Sequence, residues 1–192
     1  MEKILLYIKH NLKVVWTLIE FCNEVCLKII YKKQFALLKE QHYSLRSTNN
    51  EFQYRRITIA DQEMLQKFLD FQEKDRIKYF NPHSFTSGGL RAVLKSGNYV
   101  TFGYFFENQL IGYFFMRLFV NKKIFLGYIV DSNYAGKKIG KDMVRIMYRL
   151  AKSLGWEAYA TIAKQNLPSL KLHKHEVVKQ LPNEYMLVRL ID

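Results

Sequence analysis

A strand, a loop and a helix follow one another without a break over residues 126–152, LGYIVDSNYAGKKIGKDMVRIMYRLAK, and this run constrains the fold more than any other. Phe125, Leu126, Tyr128, Ile129 and Val130 form an apolar, β-branched and aromatic stretch that reads as a buried strand. Asp131-Ser132-Asn133 ends it. Ile139, Met143, Ile146, Met147 and Leu150 then recur at spacings of three and four, one face of a helix, while Lys141, Arg145, Arg149 and Lys152 fall largely elsewhere. Gly136 and Gly140 lie between strand and helix, among Lys137, Lys138 and Lys141, so N–H groups of the first helical turn are expected to face an anion.

The wording LGYIVDSNYAGKKIGKDM resembles motif A of the GNAT superfamily, the acetyl-CoA-dependent N-acyltransferases, whose pattern is Gln/Arg-x-x-Gly-x-Gly/Ala. Gly140 matches its last glycine, and Gly136 and Lys137 match residues common at its variable positions. Ala135 stands where Gln or Arg is usual and Lys138 where the first motif glycine is usual; each keeps its backbone N–H. A second match follows in ATIAKQNLPSLKLHKH. There Ala158, Ala160 and Ile162 alternate as in a strand, and Asn166-x-x-Ser169 opens a helix with Leu170 and Leu172, similar to the family's Asn-x-x-Ala/Ser segment beside the pantetheine arm. His173 occupies the place where many relatives carry the tyrosine that protonates the leaving thiolate, and Val177-Val178 replace the usual Gly-Phe. The phrase LGYIVDSNYAG looks most like the branch related to ribosomal-protein N-terminal acetyltransferases, which also holds enzymes acting on amino sugars and antibiotics.

The resemblance implies an α+β (mixed α/β) fold, a GNAT-like twisted and mostly antiparallel sheet with flanking helices, over residues 51–192. It implies acetyl-CoA as cosubstrate, held by Ala135, Gly136, Lys137, Lys138, Ile139, Gly140, Lys141, Asn166 and Ser169. A strand N–H at Ile129 or Val130 is the implied oxyanion donor and His173 the implied acid. Phe125 occupies the position where some relatives carry a glutamate, so the base is sought elsewhere; His83, in the loop YFNPHSFTSGG, is the candidate.

The rest of that domain reads in order. Phe52, Tyr54, Ile57 and Ile59 suggest a first strand, and Met64, Leu65, Phe68, Leu69 and Phe71 a helix capped by Asp61. A short helix is expected over 90–95. Two β-rich runs, 99–106 and 110–120, are joined at Glu107-Asn108, a hairpin signal, and Asn121-Lys122 turns back into the central strand.

Residues 1–50 form a separate unit, a helix and a polar linker, SLRSTNNEF. Leu5, Ile8, Leu12, Val15, Ile19, Cys22, Cys26 and Ile29 alternate spacings of three and four, and no Gly or Pro occurs before Pro82, so the pattern predicts one long helix over 3–38. Its apolar stripe requires a cover: its own domain, a second subunit or a membrane surface, protein being favoured. Lysines and glutamates interrupt the apolar run well short of the ~18 residues of a span, which argues against a transmembrane helix, and no small-residue cleavage site marks a signal peptide.

The net charge of +13 is concentrated near the coenzyme motif, where residues 137–179 hold ten Lys/Arg against three acids. That balance suits the phosphates of CoA or of a nucleotide-linked acceptor. Two cysteines four apart fit a reducing, cytoplasmic setting, with peripheral membrane contact through the helix kept open. The five histidines show no zinc spacing, and no metal is expected; nucleic-acid binding ranks last, because the aromatic residues sit in strand patterns. The favoured function is acetyl transfer to a small primary amine such as an amino sugar, nucleotide-linked forms included. The alternatives are protein N-terminal acetylation and a non-catalytic binding or assembly module.

Overall fold

The computed structural model describes residues 11–41, 52–172 and 174–191. Two helices, α1 (Lys13–Ile30) and α2 (Lys32–Gln41), precede the sheet strand β1 (Phe52–Arg56). A 3-10 turn leads into α3 (Gln62–Asp70), then α4 (Lys74–Ile77) and α5 (Ser87–Lys95). Strands β2 (Tyr99–Phe106), β3 (Gln109–Leu118) and β4 (Lys123–Val130) form a meander, followed by α6 (Ile139–Ser153), β5 (Glu157–Ala163), α7 (Leu167–Leu172), β6 (His175–Leu181) and β7 (Tyr185–Leu190).

The seven strands run in the order β1-β2-β3-β4-β5-β7-β6. Every neighbouring pair is antiparallel except β4 with β5, which is parallel. Glu107 and Asn108 both take positive φ, 46° and 67°, the geometry a two-residue hairpin needs to match the twist of its strands. Lys122, φ 60°, turns β3 into β4.

Alternation along β3 and β4 divides the core into two layers. Phe102, Phe114, Met116, Ile124 and Leu126 pack under α6, whose Met143, Ile146, Met147 and Leu150 are all buried. On the other face Tyr113, Phe115 and Ile129 meet Leu65, Leu69 and Leu90 of α3 and α5. Fully burying side chains of this size stabilises by ~1.5–3 kcal/mol each, which fixes the strand register, since a slip of one residue would exchange the two faces. One buried polar link crosses the first layer: the Tyr104 hydroxyl donates to Asp142 at 2.7 Å, and Asp142 also pairs with Arg145.

One reading from sequence is corrected. The single helix over 3–38 is interrupted at Tyr31, whose φ of −113° and ψ of 31° leave the helical region; residues 3–10 lie outside the described residues. Of the three covers open to the apolar stripe, its own domain does not supply one, because Leu12, Val15, Cys22, Cys26 and Ile29 are exposed. The helix is instead attached by Leu27, fully buried, and by polar side chains on the same side. His175 begins β6.

Candidate active site

The site is made by the failure of two strands to stay together. β4 and β5 pair only from Lys123↔Glu157 to Phe125↔Tyr159, and beyond Phe125 they part. Their separation opens a cleft of about 750 Å³, lined by Leu126 to Val130 on one side, by Ala160, Thr161 and Ile162 on the other, and closed by α7 and the start of α6.

Strand parity determines which backbone groups face the gap. Asp131 N–H donates to Ile111 O at 2.9 Å, and Tyr113↔Ile129 is two residues along the same register, so Ile129 turns its N–H and C=O to β3. Tyr128 and Val130 therefore turn theirs into the cleft, and the Val130 carbonyl is met there by Arg76 Nη2 at 3.0 Å. Ile129 lines the cleft, but its N–H is not directed into it. Tyr128, which the sequence did not nominate, supplies a second cleft-facing donor; the pairing of β4 with β3, legible in the hairpin signals, carried that parity.

At the open end the chain makes a narrow turn before α6. Gly136 and Lys138 adopt φ of 78° and 63°. The second is the position where the family pattern has its first glycine, and the reason for a glycine is now visible: the left-handed region costs a non-glycine residue ~1–2 kcal/mol. The lysine holds the same backbone at that cost. The first intrahelical bond runs from Asp142 N–H to Lys138 O, so the N–H groups of Ile139, Gly140 and Lys141 have no acceptor within the helix and stand at its positive end. Ala135 lines the cleft too, but its N–H donates to Ser132 O at 3.0 Å and is not available to a ligand.

Lys138, Lys141 and Lys171 gather at this mouth. Lys137 does not line the cleft; its ammonium lies 4.8 Å above the Tyr134 ring. Asn166 and Ser169 both line it, and the Asn166 Oδ1 accepts from Ser169 N–H at 3.3 Å, capping α7. Ser169 also hydrogen-bonds the Tyr128 hydroxyl across the gap. Burial pushes the Tyr128 hydroxyl above its ordinary pKa, an effect the Ser169 bond partly offsets. His173 lies outside the described residues.

His83 is set apart from this assembly. Its ring is surrounded by Phe85, Tyr99, Tyr113 and Phe115 at centroid distances of 5.3–6.2 Å, and it does not line the cleft. Nδ1 must donate to the Ser84 carbonyl, 3.1 Å away, so Nε2 accepts from the Tyr113 hydroxyl at 3.2 Å. Burial holds its pKa below the ordinary histidine range. The residues that do close the cleft on that side are Asp75, Arg76, Tyr79 and Phe80, around α4. Their sequence signal was only a charged patch before the proline loop. Among the described residues no cluster of His, Cys, Asp or Glu could hold a metal ion.

Residues 62–176, which include the parted β4/β5 pair, the positive-φ turn and the donor-bearing helix start, match the acetyltransferase (GNAT) family. The chain belongs to this family. It is thereby an acetyl-CoA-dependent N-acetyltransferase, and the match begins after α1 and α2. No curated protein sequence matches the chain. Among solved structures it is similar to PaiA N-acetyltransferase from Thermoplasma acidophilum in complex with coenzyme A, with TM-score 0.62 and 18% identity, covering 72% of this chain and 98% of that one. It is also similar to ribosomal-protein-S5-alanine acetyltransferase from Vibrio fischeri, with TM-score 0.60, 18% identity and coverage of 77% and 97%. A third similar structure is aminoglycoside acetyltransferase AAC(6')-Ib in complex with coenzyme A and kanamycin, with TM-score 0.58, 12% identity and coverage of 73% and 94%. At these identities the likeness is one of fold.

Proposed function

We propose that the chain transfers the acetyl group of acetyl-CoA to the primary amine of a small acceptor, an amino sugar being the favoured class, nucleotide-linked forms included. The observation that carries this reading is the row of N–H groups at Ile139, Gly140 and Lys141, at the mouth of a cleft whose wall presents two further N–H groups, Tyr128 and Val130. The donor set fits the coenzyme: three helix-end N–H groups and neighbouring lysines for a pyrophosphate, and an extended, unpaired strand edge for a chain of amides.

Each residue then has a defined task. Lys138, Lys141 and the helix N-terminus hold the phosphates. From that mouth an extended arm lies along β4, so Val130 N–H meets an arm amide and Tyr128 N–H, deeper in the cleft, meets the thioester carbonyl. A fixed donor there stabilises the charge that develops on the carbonyl oxygen when an amine attacks, a contribution of ~3–4 kcal/mol where such donors have been removed. His173, at the acid position of the sequence motif, protonates the departing thiolate. Asp75 also lines the cleft, its carboxylate paired with Lys78 at 3.0 Å.

This account has no base. With His83 occupied by Tyr113 and Ser84, the acceptor amine loses its proton to water in the cleft or arrives neutral. The basic mouth favours an acceptor with a phosphate ester of its own, which is what supports a nucleotide-linked sugar.

The test is thiol release from acetyl-CoA in the presence of amino sugars, their nucleotide-linked forms, aminoglycosides and an alanine-leading peptide. Turnover confined to the sugars is the expected result. Turnover confined to the peptide would reassign the acceptor, and thiol release with none of them above the buffer rate would remove the small-amine reading.

A further inference from the structure

The helix α1 is attached to its domain by Leu27 and by polar side chains on the same side. Asn23 Nδ2 donates to Leu118 O and its Oδ1 accepts from Val120 N–H, both at 3.1 Å. Glu20 pairs with Arg117 and accepts from Asn98 Nδ2 at 3.2 Å, and the Tyr31 hydroxyl donates to Val120 O at 2.9 Å. The opposite side is apolar and open: Val14 is 84% exposed, Leu18 60%, Phe21 61% and Ile29 74%. Spacings of four and three, continued to Ile29 through the half-buried Val25, place these residues on one stripe ~23 Å long. An amphipathic helix ordinarily buries that side; this one presents it.

Charge decides what the stripe fits. The two acids of α1, Glu20 and Glu24, are engaged with Arg117 and Lys28 respectively, and the exposed residues of the helix include no carboxylate. Lys28, paired with Glu24, borders the stripe, and the basic edge is set by Lys32 and Lys33, exposed just beyond it. A second copy laid parallel on this face would bring Lys32 and Lys33 to their own counterparts, with no acid among the exposed residues of α1 to answer them. A sheet of lipid with anionic headgroups answers both the apolar centre and the basic edge. No described helix is long and apolar enough to cross a membrane, so the helix lies in the plane of the surface.

The placement leaves the active site free. α1 is bound where β3 ends, at Leu118 and Val120, just ahead of the start of β4, whereas the cleft opens at the far end of β4, beside Val130. Eight strand residues, ~26 Å, separate the two ends.

We propose that the exposed face of α1 docks the protein on an anionic lipid bilayer, with Leu18 and Phe21 at the centre of the inserted stripe and the coenzyme cleft facing the aqueous side. The experiment is flotation of the full-length protein with vesicles of phosphatidylcholine containing about 30% phosphatidylserine, and with phosphatidylcholine alone. Binding to the anionic vesicles is expected, weakening with salt, and at least ~10-fold less for the double variant Leu18→Glu, Phe21→Glu, whose melting temperature and coenzyme affinity stay as in the parent. Equal flotation with both vesicle types, equal flotation of parent and variant, or no flotation overturns the proposal. So does light scattering that shows a dimer in the parent and a monomer in the variant, which would assign the face to a second copy. None of these readouts depends on acetyl transfer, so the proposal and the proposed acceptor stand or fall separately.

Discussion

The ring of Tyr128 lies against Gly140: a Cβ added at residue 140 would stand 3.3 Å from Tyr128 Cε2 and 3.3 Å from Leu172 Cδ1. Both neighbours line the cleft, so extra bulk at this position is felt in the ligand space rather than in the core. Gly140→Ala gains helix propensity of ~1 kcal/mol, which offsets the crowding it creates. Its melting temperature should stay within a few degrees of the parent while acetyl-CoA affinity falls, read by calorimetry and a thermal scan on the same samples.

Lys138 gives a prediction of opposite sign. Its φ of 63° is tolerated at a cost that glycine does not bear, so Lys138→Gly should raise stability by ~0.5–1 kcal/mol, a gain of ~1–4 °C in melting temperature. One cation is lost from the phosphate mouth at the same time, so affinity for acetyl-CoA should drop with a shallower salt dependence. A variant that melts lower would show that the lysine side chain, not its backbone, is what the turn needs.

The proton for the thiolate has two candidate sources, Tyr128 of the cleft wall and His173 of the sequence motif. Burial makes the Tyr128 hydroxyl a weaker acid than usual, whereas histidine is by residue type the side chain suited to proton transfer near neutral pH. His173→Ala should therefore lower kcat by ~10²–10⁴ with little change in coenzyme affinity, and Tyr128→Phe by less than ~10-fold. The reverse order in steady-state kinetics would move the acid to Tyr128.

His83 yields a pH dependence of stability. Its folded pKa is depressed, so the unfolded chain binds its proton first, and stability is fully present above the unfolded value of 6.5 and is lost as pH falls toward the folded one. The melting temperature should decline below about pH 6.5, and His83→Gln should flatten that part of the curve whatever it does to stability at pH 7.5.

Most of the fold was legible because the signals were local. The hairpin at Glu107-Asn108, the helix over residues 139–153 and the glycine-bearing turn are each set by short-range sterics and a periodic face. What escaped the sequence depends on long-range pairing. The closing strands β6 and β7 carry weak alternation, with Val177 and Val178 exposed, and only the sheet order gives them a place. The orientation of α1 stayed open for the same reason. A hydrophobic stripe reports that a helix has two faces, but Asn23 bonding to Leu118 and Val120 decides which face docks. At the site, the motif located the helix start, while the loss of the Ala135 donor to Ser132 and the inward N–H of Tyr128 follow from turn geometry and strand parity.

The central claim is that the start of α6, at the mouth of the β4/β5 cleft, binds the coenzyme pyrophosphate. Calorimetric titration of acetyl-CoA into the parent and into Gly140→Asp tests it most directly. An aspartate in the first helical turn favours the helix but places a negative charge and a Cβ where phosphate must approach, so the parent should bind at one site per chain and the variant at least ~10-fold more weakly, with the fold intact by circular dichroism. Equal affinity in the two proteins, or no binding to the parent, would contradict the account.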